Sequence, residues 1–139
     1  MVNEFEIKKQ LCDIGKRIYN RNMVAANDGN FSVKVAENEY LCTPTGVSKG
    51  FMTPEFICKV DGKGNVIQAN PGFKPSSEIK MHMRVYEKRP DVGSVVHAHP
   101  VQIFSVFPAD AACSLLKVLP VQHFYQNQLS VNFFRIQFF

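Results

Sequence analysis

Nothing in this chain suggests paired cysteines. The four present (Cys12, Cys42, Cys58 and Cys113) are scattered, with no CxxC and no regular spacing. Neither a disulfide framework nor a zinc knuckle is therefore expected, and the cysteines read as reduced, mostly buried thiols of a cytoplasmic protein. Long apolar runs are lacking too. No stretch reaches the ~20 residues of a membrane span, so no membrane partner is expected. The opening MVNEFEIKKQ mixes acids with bases, so neither a signal peptide nor a transit peptide is expected there. Charge of one sign is also scarce. The net charge is only +4, and Lys8, Lys9, Lys16, Arg17 and Arg21 are interleaved with acids and carry no aromatic stripe. A solvated helix face accounts for them, and no nucleic-acid partner is expected.

What is present fits one globular domain. The chain has 139 residues, 45% hydrophobic and 20% charged, enough to bury a core. Ile7, Leu11, Ile14 and Ile18 recur at helical spacing and predict a helix over 4–21, with Asn3 as cap and Glu6 in the capping-box position. NDGN forces a turn at 27–30. FSVKV (31–35) and EYLCT (39–43) alternate as a hairpin, and FICKV, DGKG and NVIQ give a second one over 56–68. Thr53 and Pro54 predict a short helical turn before it. Ser76 or Ser77 can cap a helix running to about Lys88, and VGSVV then reads as a central strand. The order predicts α+β or mixed α/β architecture around a largely antiparallel sheet.

Four short stretches carry chemistry: DGNFS, TPTG (43–46), PSSE (75–78) and HAH (97–99). Each has an ordinary reading. DGN and TPTG are turn sequences, and PSSE is a good helix N-terminus. HAH says more, because on a strand His97 and His99 share a face, and two neutral imidazoles suit Zn²⁺. Two histidines are still half a site. Jointly, hydroxyl and glycine loops with free N–H groups make an anion cradle. A metal and a carboxylate beside it would suit carbanion chemistry next to a carbonyl.

The segments GNFSV, TPTGVSKG and PSSEIKMHMRVYEKRPDVGSVVHAHP, in this order, resemble the class II aldolase/adducin family over about residues 4–100. The resemblance implies a three-layer sandwich with a central, mainly antiparallel sheet, one zinc ion per chain and a cyclic homotetramer with sites at subunit interfaces. It further implies that His97, His99 and Glu78 bind the metal, with Glu78 as catalytic acid/base. Asn30, Thr45, Gly46, Ser76 and Ser77 would hold a substrate phosphate. The implied reaction is reversible cleavage of a phosphorylated ketose, such as L-fuculose 1-phosphate, into dihydroxyacetone phosphate and an aldehyde. The alternatives are an epimerase of the L-ribulose 5-phosphate type and a non-catalytic binding protein like the adducin heads. PSSE, with glutamate rather than aspartate after the serines, favours the aldolase branch.

The chain changes character after Pro100. No glycine follows Gly93, and beyond Pro100 the only charged residues are Asp110, Lys117 and Arg135. Seven of the twelve phenylalanines fall there. The third zinc histidine and late tyrosines that the family resemblance implies have no match, since His123 and Tyr125 stand in the wrong setting. Residues 101–139 therefore read as an atypical apolar tail, C-terminally truncated relative to the family pattern, and a shifted reading frame is the working expectation.

Overall fold

The computed structural model describes residues 3–99 and 132–134. Its first element is the helix α1, Glu4–Asn20, begun as its sequence predicts: Asn3 Oδ1 accepts from the Glu6 N–H at 3.2 Å, which satisfies one of the donors a helix start leaves open. Strands β1 (Asn30–Ala36), β2 (Glu39–Cys42), β3 (Cys58–Asp61) and β4 (Val66–Gln68) follow as the two expected hairpins. A short 3-10 turn with Pro54 in its first position precedes β3; Thr53 stands before it without a side-chain capping bond. Helix α2 spans Ile79–Lys88, and β5 spans Ser94–Ala98. A last strand, β6 (Asn132–Phe134), pairs with β5.

The sheet runs β4-β3-β2-β1-β5-β6, and every neighbouring pair is antiparallel. Because side chains alternate across a strand, the same strands build two cores. Phe31, Val33, Leu41, Val96 and Ala98 meet Leu11 and Ile18 of α1. Tyr40, Cys42, Cys58, Val60 and Val95 meet Ile79, Met83 and Tyr86 of α2. Helix, sheet and helix thus form the three-layer sandwich expected. Burying a side chain such as Phe31 or Leu41 contributes about 1.5–3 kcal/mol each.

Two boundaries differ from the sequence reading. Helix α2 starts at Ile79, not at the serines, because Ser76 is committed to a turn: its Oγ accepts from the Glu78 N–H and its carbonyl from the Ile79 N–H. Strand β5 carries His97, held by its pairing with Asn30 and Phe31 of β1, but ends at Ala98, so His99 stands just beyond the strand. The expectations for Cys113, His123 and Tyr125 fall outside the described residues, as does that for the tail at 101–139 apart from 132–134.

Candidate functional site

The β1–β5 pairing sets the first contact. Asn30 and His97 are direct cross-strand partners, so both side chains leave the sheet on the α2 face. The chain enters β1 through Gly29, whose φ of +72° favours glycine. A Cβ there would meet the His97 carbonyl oxygen and Val24 Cγ1, each at 2.7 Å. His99 follows on the same face: its ring centroid lies 4.6 Å from that of His97, and its N–H donates to the Met23 carbonyl at 2.8 Å.

Glu78 reaches this pair from the turn ahead of α2. Its Oε2 accepts from His97 Nδ1 at 2.9 Å and from Asn30 Nδ2. With Nδ1 donating, the His97 lone pair belongs to Nε2. Burial pushes the His97 pKa below its ordinary value, with Glu78 opposing the shift, so the ring is neutral at physiological pH. His97 is 1% exposed, whereas the Glu78 side chain is 47% exposed. The carboxylate therefore joins a buried imidazole to the open side of the site.

A second wall is built from two loops distant in sequence. Pro44 and Pro75 form an isolated antiparallel bridge. Its bonds run from the Thr45 N–H to the Lys74 carbonyl at 2.9 Å and from the Ser76 N–H to the Thr43 carbonyl at 3.1 Å. This contact sets Thr45 and Gly46 beside Ser76 and Ser77. Together with residues 27–30, Pro44, Lys49, Glu78 and His99 they line a cavity of about 320 Å³. The Ser76 hydroxyl accepts from the Glu78 N–H at 3.3 Å and keeps its own proton for a ligand. The structure thus brings eight sequence-predicted residues together: Asn30, Thr45, Gly46, Ser76, Ser77, Glu78, His97 and His99. Asn30 spends its amide on Glu78 and lies 3.2 Å from His97 Nδ1, which places it at the carboxylate end of the cavity.

Two imidazoles and a carboxylate are the donor chemistry of a zinc-type ion. The grouping is partial, because Glu78 is bonded to His97, and among the described residues no three His, Cys, Asp or Glu side chains converge as a metal cluster.

Two features of this region escape the sequence. On the α2 face, Ser32 Oγ lies 2.7 Å from His82 Nδ1 and 2.9 Å from Tyr86 OH. Burial depresses the His82 pKa to about 3, His97 adding to the effect. Ile79, His82, Met83 and Tyr86 share helical spacing, a signal that His82 faces inward. Lys49 also lines the cavity while 1% exposed; a lone lysine in a loop gives no sign of this.

Comparison with known proteins agrees with this architecture. A family model described as Class II Aldolase and Adducin N-terminal domain matches residues 9–129. The L-fuculose phosphate aldolase of Methanocaldococcus jannaschii is 40% identical over 92 residues, covering 66% of this chain and 48% of that protein. The methylthioribulose-1-phosphate dehydratase of Pseudomonas syringae pv. tomato is 34% identical over 96 residues, covering 69% of this chain and 46% of that one. A solved L-fuculose 1-phosphate aldolase superposes with a TM-score of 0.64 at 28% identity, covering 70% of this chain and 46% of its own. The chain spans about half the length of the curated relatives it matches. With the three-layer fold, the motifs and the family match in agreement, the chain belongs to the class II aldolase/adducin family.

Proposed function

We propose that the protein acts on a phosphorylated ketose, cleaving a carbon–carbon bond to give dihydroxyacetone phosphate and an aldehyde. The observation carrying this reading is one cavity lined by two chemically distinct sets of groups. The hydroxyls of Thr45, Ser76 and Ser77, with the glycine backbone at Gly46, suit a phosphate. Glu78 and His99 line the cavity beside them, with His97 buried behind Glu78. Glu78 is the group placed to move a proton: it is open to the cavity, and His97 Nδ1 and Asn30 Nδ2 hold one of its oxygens. Glu78 takes the proton from the substrate's carbinol oxygen, the carbon–carbon bond breaks with its electron pair left on a carbon of the ketone fragment, and the aldehyde leaves. The protonated Glu78 then returns the proton to that carbon, giving dihydroxyacetone phosphate. His97 and His99, with Glu78, would hold a zinc ion, which when bound supplies Lewis-acid polarisation of the ketone. A cyclic homotetramer and a cytoplasmic location belong to the same proposal.

The test is release of dihydroxyacetone phosphate from L-fuculose 1-phosphate by zinc-supplemented protein. Glu78→Gln is expected to lower the rate by about 10²–10⁴-fold. No dihydroxyacetone phosphate from the wild type overturns the proposal.

A second reading has a specific support: the dehydratase relatives at 33–34% identity are named for a different 1-phosphorylated ketose. The same cradle would serve either substrate, and loss of water instead of an aldehyde separates the two reactions. The epimerase alternative is weakened by the glutamate of PSSE. An adducin-like binding role is weakened by the presence of His97, His99 and Glu78 together, and zinc near one per chain after dialysis counts against it.

A further inference from the structure

Lys49 has no role in the motifs described so far. It opens a short 3-10 turn, Lys49–Phe51, behind the TPTG loop, and its side chain is buried. Nζ donates to the Val47 carbonyl at 2.6 Å and to the Asn27 carbonyl at 3.1 Å. One ammonium therefore ties the loop before β1 to the loop after β2, the two segments between which the cavity opens. The position is built, not incidental. Helix α1 carries Gly15 where it crosses this turn, and a Cβ there would clash with the Lys49 carbonyl oxygen. Only a glycine lets helix and turn approach so closely, despite its cost of about 1 kcal/mol in a helix interior.

Two carbonyls satisfy hydrogen bonds but do not neutralise a charge. Among the described residues no carboxylate lies within ion-pair distance of Nζ. Asp28, on the cavity rim, acts only as a more distant charge that favours the ammonium. Burial outweighs it and holds the pKa down to about 8, so the group is still about tenfold more often charged than neutral at pH 7. A buried cation without a close counter-ion is costly. The cavity lining holds the carboxylates of Asp28 and Glu78 beside the hydroxyls of Thr45, Ser76 and Ser77, and Lys49 is its one lysine or arginine among the described residues.

We propose that Lys49 is the cationic binding group of this cavity, its ammonium held between the two loops to neutralise the phosphomonoester end of the substrate. The proposal rests on the phosphate reading of the cavity given above and adds to it the group that supplies the charge. The three N–H groups of the ammonium divide accordingly: two serve the Val47 and Asn27 carbonyls, and the third is for a phosphate oxygen.

The experiment measures inorganic phosphate binding by calorimetry on the full chain, at constant ionic strength set with chloride. Lys49→Gln keeps a donor for the carbonyls and removes the charge; Lys49→Arg keeps the charge. Saturable binding by wild type, weakened about 10- to 100-fold in K49Q and restored in part by K49R, supports the proposal. Equal binding by wild type and K49Q overturns it and leaves the phosphate cradle standing. No saturable binding by wild type overturns the phosphate reading itself. Should K49Q fail to fold by circular dichroism, wild-type protein with ¹³C-labelled lysine decides. The Cε resonance that K49R lacks must titrate at higher pH with phosphate than without, and an unchanged titration overturns the proposal.

Discussion

The two faces of the sheet share their strands and differ in almost everything else. Toward α1 the strands present Phe31, Val33, Leu41, Val96 and Ala98, an apolar surface closed by Leu11 and Ile18. Toward α2 an apolar core of Tyr40, Cys42, Val60 and Val95 is interrupted on β1 and β5 by Asn30, Ser32 and His97, each 3% exposed or less. The polar groups there are bonded in sequence, Tyr86 to Ser32 to His82, and Asn30 to Glu78 to His97. One face is therefore stabilised by apolar area; the other adds to its apolar core a set of groups that depend on partners, and a missing one leaves a buried dipole unpaired. The lesson is that neighbouring residues on one strand fail in different ways.

Phe31→Ala gives the largest expected effect. It should cost about 3–5 kcal/mol in urea unfolding and, since both layers share β1, the zinc of the proposed function and the fold should be lost in the same transition. Zinc retained past unfolding would break the comparison. Acid should act on the polar face alone. His82 and His97 both have folded-state pKa values below their ordinary ones, so the unfolded chain takes up protons first as pH falls below about 6.5. Stability is full above that pH and is lost as pH drops toward the folded value of about 3 for His82, by about 1.4 kcal/mol per unit for that residue. Urea midpoints at pH 7, 6 and 5 should fall, and less steeply in His82→Gln; parallel slopes would remove His82 from the account. Ser32→Ala is the smallest change, one oxygen next to Phe31. It strips the partner from His82 Nδ1 and Tyr86 OH and should cost about 1–3 kcal/mol, whereas a neutral result would mean that water replaces the hydroxyl.

The apolar face was the legible one. Ile7, Leu11, Ile14 and Ile18 name α1 by period, and the hairpins follow from alternation and their turns, because these signals are local. The motif residues were legible as residues, but their relations were not. Nothing in PSSE says that Ser76 bonds back to Glu78 and delays the helix by a turn, since that depends on Thr43 holding the Ser76 N–H from another loop. Asn30, taken with the phosphate group of residues by resemblance, turns to Glu78 because β1–β5 pairing sets it opposite His97. Lys49 was invisible because its ammonium is held by the Asn27 carbonyl, from a loop distant in sequence.

The bridge between Pro44 and Pro75 has a consequence for how the cavity meets a ligand. Both prolines sit at the one kind of antiparallel position that asks no N–H of them, the two bonds being made by Thr45 and Ser76. The ladder cannot grow inward, since Cys42 is already paired with Ser32 and Cys58 on either side. The loops are thus stapled at one point and stiffened on both sides of it by rings that restrict the unfolded chain more than the folded one. Such a wall is in shape before anything arrives. It would select among ligands by rejecting those that do not fit, not by moulding itself to them, and association should proceed in a single kinetic step.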